Sequence, residues 1–204
     1  MKQTRSLLLA FVLVCLYTAA NAQVEFALGL KAGPNFAKIN TDATAGENYK
    51  SRTGFHGGAF ALFKFTKVGI QPELIFSQQG STVEFDDENY EANYSYFNIP
   101  VMLKLYLAAG LNLQLGPQFG FITKASQEIP NLAGGKTKED VKDDLKGSDL
   151  SLGFGAGWDL PFGLTVDARY NLGLSKINGK DQPEEAKNQV IQLSLGYKIF
   201  KLGK

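Results

Sequence analysis

From residue 164 to residue 177 the chain reads LTVDARYNLGLSKI, and apolar and polar positions alternate almost without error. Leu164, Val166, Ala168, Tyr170 and Leu172 are apolar, while Thr165, Asp167, Arg169 and Asn171 between them are polar. Period-two alternation specifies a β-strand with one apolar and one polar face. The same test finds eight strands, at residues 25–38, 54–65, 68–78, 94–107, 111–124, 149–160, 164–174 and 188–200. They run longer than the roughly five or six residues usual in globular sheets. A tilted strand crosses a bilayer in about 9–11 residues, so strand length points to a membrane.

The connections point the same way. Strands two and three meet at Thr66-Lys67, four and five at Ala108-Ala109-Gly110, and six and seven at Pro161-Phe162-Gly163. The other connections, 39–53, 79–93, 125–148 and 175–187, are long. Strict alternation of short turns and long loops around an even number of strands is the layout of bacterial outer-membrane barrels. The predicted fold is an all-β, eight-stranded antiparallel up-and-down transmembrane β-barrel with both termini on the periplasmic side. In such a barrel the apolar face meets lipid and the polar face lines the interior. Leu111, Leu113, Leu115, Phe119 and Phe121 then face out, with Asn112, Gln114 and Gln118 inside. Ile191, Leu193, Leu195, Tyr197 and Ile199 likewise face out, with Gln192, Ser194, Gly196 and Lys198 inside. Strand two is less regular, because Phe60 and Leu62 share a face with His56 and Lys64. Aromatic girdles are expected at both membrane interfaces. One comprises Phe63, Phe65, Tyr106, Trp158, Phe162, Tyr197 and Phe200, and the other Phe55, Phe76, Tyr96, Phe97, Phe119, Phe121 and Tyr170.

The N-terminus adds a destination. Lys2 and Arg5 precede an apolar run from Leu7 to Tyr17, followed by Ala20-Asn21-Ala22 before Gln23. This is the three-part pattern of a cleaved secretory signal. It divides the chain into a signal peptide, 1–22, and one barrel domain, 23–204. Cys15, the one cysteine, leaves with the signal, so disulfides do not stabilise the exported chain. Without Lys2 and Arg5, 19 of the 21 basic residues face 20 acidic ones, which gives no support to nucleic-acid binding. Abundant glycine and aromatics with few helix signals fit an all-β chain.

Two segments carry a resemblance. IQPELIFSQQG (70–80) followed by YFNIPVMLKLYL (96–107) resembles the hallmark hairpin of the outer-membrane β-barrel family widespread in Bacteroidetes, often labelled PorT-like or porin-family. GLKAGPNFAKIN and ARYNLGLSKIN are similar to its first and seventh strands. The resemblance implies whole strands around Pro72 and Pro100, where a deleted ladder hydrogen bond leads us to expect bulges. It also implies a link to secretion or envelope assembly for some members. The tail departs from the family, since KLGK follows Phe200 where an aromatic residue commonly ends the chain.

Few residues suggest chemistry. His56, the one histidine, is placed near the long-loop rim in GFHGGAF, with no partner motif for a rim enzyme. The acidic stretch with Glu84, Asp86, Asp87, Glu88 and Glu91 lacks calcium-loop spacing and reads as a solvated outer loop. In KTKEDVKDDLK, Lys138 and Lys142 at i,i+4 with acids nearby suggest a short loop helix. No catalytic, cofactor or metal residue is assigned. The candidate site is instead an interior charge network. Lys31, Glu73 and Arg169 each lie five residues beyond the start of an outward-running strand, all on the inward parity, and Asp167 lies one inward position below Arg169. Opposite charges at one depth would pair and plug the interior. The function expected is a small monomeric barrel of the outer-membrane bilayer with a structural, envelope-assembly or partner-binding role. Long extracellular loops or periplasmic turns would contact protein partners. The alternatives are a narrow porin and a barrel enzyme using His56 at the rim.

Overall fold

The computed structural model of the protein describes residues 24–41, 48–85, 88–130, 135–176 and 186–203; residues 1–22, expected to be an export signal, lie outside the described residues. Nine strands follow in order: β1 Val24–Thr41, β2 Asn48–Phe65, β3 Val68–Phe85, β4 Glu88–Tyr106, β5 Leu111–Pro130, β6 Lys136–Asp140, β7 Ser148–Asp159, β8 Leu164–Gly173 and β9 Ala186–Gly203. Eight of them form a closed antiparallel ring in chain order, joined between β1 and β9 and between β4 and β5. β6 stands outside the ring and pairs only with the far end of β5. Closure leaves no edge, so ring strands find backbone partners on both sides.

The register fixes the tilt. Starting at Glu25 and stepping across paired residues leads through Lys64, Gly69, Lys104, Gln114, Gly155, Arg169 and Gln192, and returns to β1 at Asn35. The circuit thus ends ten residues farther along β1 than it began, from 25 to 35. That stagger forces the strands to lean, and eight leaning strands enclose a space just wide enough for side chains.

Alternation decides which face meets that space. Leu113, Leu115, Leu193 and Leu195 point outward and are exposed, whereas Gln114, Arg169 and Gln192 point inward and are buried. Phe60 and Leu62, the irregular positions of β2, also face inward. They form an apolar cluster with Ala27 toward the short-turn end. A ring atom of Phe60 lies where a Cβ on Gly29 would stand, so the glycine makes room for it. A second cluster of Ile39, Ala92, Tyr94, Tyr96, Ile122 and Ala125 occupies the long-connection end, with Val141, Leu145 and Ala186 packed against it.

The structure differs from the sequence reading in four respects. Expected loops continue as paired strand: β3 and β4 remain in register out to Phe85 and Glu88, making an extended hairpin where a long loop was expected. The segment expected to hold a short helix forms strand β6 and a single 3₁₀ turn at Lys142–Asp144, because backbone pairing to β5 outcompetes weak i,i+4 attractions. Pro72 and Pro100 carry no bulge. The register is the same on either side of each, Pro72 opposite Val101 then Ile75 opposite Asn98, and Pro100 opposite Gln118 then Leu103 opposite Leu115. The register shifts instead fall at Leu28/Gly29, between Ser51 and His56, and at Ser95/Tyr96. Finally, Tyr96 and Tyr106 do not join the girdles. Both lie on the inward parity of β4 and are buried. The remaining girdle residues face outward, with Tyr170 packed on Phe154 at 5.3 Å between ring centroids.

Candidate functional site

The interior is stacked in layers, and charge fills the part nearest the short turns. There Glu25 of β1 accepts from Lys198 of β9 at 2.7 Å. Lys198 also pairs with Asp159 of β7 at 2.9 Å. Asp159 pairs with Lys104 of β4 at 3.0 Å and accepts from the Tyr106 hydroxyl at 2.8 Å.

The next layer brings together Lys31, Glu73, Asp167 and Arg169. The Arg169 guanidinium grips Glu73 with two bonds, Nη1 to Oε2 at 3.0 Å and Nη2 to Oε1 at 2.8 Å. This fork-on-fork geometry is the strong form of an ion pair. Lys31 stands between the two carboxylates, 3.5 Å from Glu73 and 3.2 Å from Asp167. Amides fill the remaining valences. Gln71 donates to Glu73 at 2.9 Å, and Gln114 accepts from Arg169 at 2.9 Å while donating to Asp167. Lys104 ties the layers together, 3.2 Å from the Gln71 oxygen and 3.8 Å from Asp167. Lys31, Glu73, Lys104, Asp167 and Arg169 are each at most 4% exposed.

Counting strand positions from one end finds Lys31, Glu73, Asp167 and Arg169 but misses Glu25, Lys104, Asp159 and Lys198. Lys104, Asp159 and Lys198 lie on strands that run from the long-connection end back to the short-turn end. Their depth is legible only by counting backward from the turns and adding the stagger of the ring. Across both layers four cations (Lys31, Lys104, Arg169, Lys198) meet four anions (Glu25, Glu73, Asp159, Asp167), so the charges balance. Buried charges are tolerated on that condition. Glycine opens the space: a Cβ on Gly157 would meet Asp167, Gln114 and Asn112, and one on Gly153 would crowd Asn171.

Above the charges, each strand of the ring supplies one buried amide, hydroxyl or imidazole: Asn35, His56, Ser77, Asn98, Gln118, Ser151, Asn171 and Gln192. His56 is therefore in the interior, 4% exposed, and not at the rim. The inward parity of β2 and its pairing opposite Ser77 hold it there. Its Nε2 lies 2.8 Å from the Ser194 hydroxyl, while among the described residues Nδ1 has no partner and no carboxylate orients the ring. The arrangement lacks the third group that makes a nucleophile–base pair work. Among the described residues, no group of three or more His, Cys, Asp and Glu side chains could hold a metal ion. In the acidic stretch, Asp86 and Asp87 lie outside the described residues, as do the side chains of Glu84 and Glu88. Glu91 is exposed and 3.8 Å from Arg52.

This architecture has relatives. Residues 21–179 match a family described as outer membrane protein beta-barrel domain. Neisserial surface protein A is similar in fold, with a TM-score of 0.53 and 12% sequence identity over 84% of this chain and 97% of that one. So is Ail, the attachment invasion locus protein of Yersinia pestis, solved in complex with the heparin analogue sucrose octasulfate. There the TM-score is 0.51 and the identity 18%, over 88% of this chain and 99% of that one. At such identities the likeness is one of fold. A comparison with curated proteins finds no match. With the family match spanning most of the chain, the protein belongs to the outer membrane protein beta-barrel domain family and resides in the cell outer membrane.

Proposed function

We propose that the protein is a closed barrel, a structural and partner-binding element of the envelope and not a pore. The observation that carries this reading is the two-layer charge network, in which every lysine, arginine and carboxylate has an opposite charge within 4 Å. An interior just wide enough for side chains, crossed by such a network, leaves ions no solvated path. The apolar cluster around Tyr94 and Tyr96 supports closure at the other end.

On this reading the barrel works as a rigid membrane anchor, and its partner surface is the hairpin that β3 and β4 carry beyond the ring's apolar belt. The protein acts as a monomer. Residues 1–22 are its export signal and residues 23–204 its single domain. We assign it to the PorT-like group on the 70–80 and 96–107 segments. Reconstitution of the wild-type barrel in planar bilayers tests closure. The expected result is a baseline without steady conductance, and a stable open level would overturn the reading in favour of a narrow porin.

A further inference from the structure

One buried carboxylate stands apart from the balanced network. Asp149, at the long-connection end of β7, is 9% exposed. Its Oδ2 accepts from the Asn188 side chain at 3.0 Å, and Asn188 also donates to the Tyr96 hydroxyl at 2.8 Å. Among the described residues no lysine, arginine or histidine pairs with Asp149. Every other buried carboxylate there, Glu25, Glu73 and Asp167, has at least one cation within 4 Å. A desolvated anion without a counter-charge is strongly disfavoured.

A second side chain, on a different strand, points to the same place. Asn98 of β4 is 1% exposed, and among the described residues neither its Oδ1 nor its Nδ2 has a hydrogen-bond partner. Buried amides are almost always satisfied, so an orphan of this kind needs an explanation. Gly120 of β5 pairs with Asn98 on one side and Asp149 on the other. A Cβ on Gly120 would stand 3.0 Å from Asn98 Oδ1 and closer still to Asp149 Oδ1. Two oxygens from flanking strands thus converge on the space that the missing side chain leaves, and one of them carries a full charge.

We propose that this space above Gly120 binds a single alkali cation, held by Asp149 Oδ1 and Asn98 Oδ1 and completed by water. All-oxygen donors suit a hard cation. Charge selects a monovalent one: Asp149 supplies a single negative charge, and the layers below are already neutral. A divalent ion would leave an uncompensated positive charge in the interior. The site stands whether or not the barrel conducts.

Thermal unfolding of the full-length folded barrel in detergent tests this, in sodium or potassium chloride against N-methylglucamine chloride at equal ionic strength, with ²³Na relaxation as a direct readout. The expected result is a saturable rise in Tm with sodium or potassium that N-methylglucamine does not reproduce. Asp149→Asn, which preserves shape, and Gly120→Ala, which fills the space, should each raise the midpoint concentration at least tenfold. Equal Tm in all three salts would overturn the proposal. A sodium response that survives in both variants would also overturn it, as would a response confined to calcium.

Discussion

Replacing Glu73 by Gln should be the most damaging conservative change in the barrel. The substitution keeps the shape and removes the charge that Arg169 grips through two bonds and Lys31 approaches at 3.5 Å. Lys31 retains Asp167 at 3.2 Å, but the guanidinium is left with neutral acceptors, the Gln114 oxygen and the new amide oxygen, in place of a bidentate carboxylate. Removing one partner of a buried pair costs about 3–5 kcal/mol, because the other charge remains desolvated. Arg169→Gln should cost less, about 3 kcal/mol on the same scale, since Glu73 still has Lys31 and the Gln71 amide at 2.9 Å. The double change removes both charges together, so it should fall short of the sum by about 1–3 kcal/mol, the coupling expected of side chains in contact. Urea unfolding in phospholipid vesicles can follow all four proteins through the single tryptophan, Trp158, which lies on the outward face. Additivity within about 0.5 kcal/mol would refute the reasoning, and so would a Glu73→Gln protein as stable as the wild type.

The other predictions concern the two faces of the sheet. Arginine at Leu115, Ala168 or Leu193, all outward-facing, should cost about 2–4 kcal/mol near the midplane. The companion measurement is vesicle unfolding of Gln114→Arg, whose inward position adds no charge to the lipid face. Gly157→Val should destabilise by about 1–3 kcal/mol through overpacking, because its Cβ would meet Asp167, Gln114 and Asn112. The neighbouring Ala156→Val, facing outward, should be near neutral in the same assay.

Much of the fold is legible because parity is a local property. From 111 to 121 of β5, along β8 and from 191 to 199 of β9, each apolar or polar residue declares its own face, and tight turns such as Ala108-Ala109-Gly110 fix where strands reverse. In the structure Ala109 and Gly110 both take positive φ, 51° and 84°, as such a turn requires. What sequence could not supply is relative depth across strands. Lys104 and Asp167 approach within 3.8 Å although 63 positions separate them, because the stagger of the ring brings a returning strand level with an outgoing one. The inward placement of Tyr96 was similarly hidden, and that of Phe60 showed only as an irregularity, an apolar residue sharing a face with His56 and Lys64. An apolar residue on the inward parity breaks the two-colour pattern, and only the neighbours, Gly29 and Ala27 for Phe60 and Asn188 for Tyr96, explain why it is accommodated. The extended hairpins escaped because their alternation weakens where neither face meets lipid.

The central claim is that the apolar face meets lipid and the charged face is sealed inside. Nitroxide labels placed one at a time on cysteines introduced at residues 111–115 of β5, in the chain that begins at Gln23 and in bilayers, test it most directly. Oxygen, which partitions into lipid, should relax labels at 111, 113 and 115 strongly and those at 112 and 114 weakly, an oscillation of period two. Uniform accessibility, or an oscillation of opposite phase, would contradict the account.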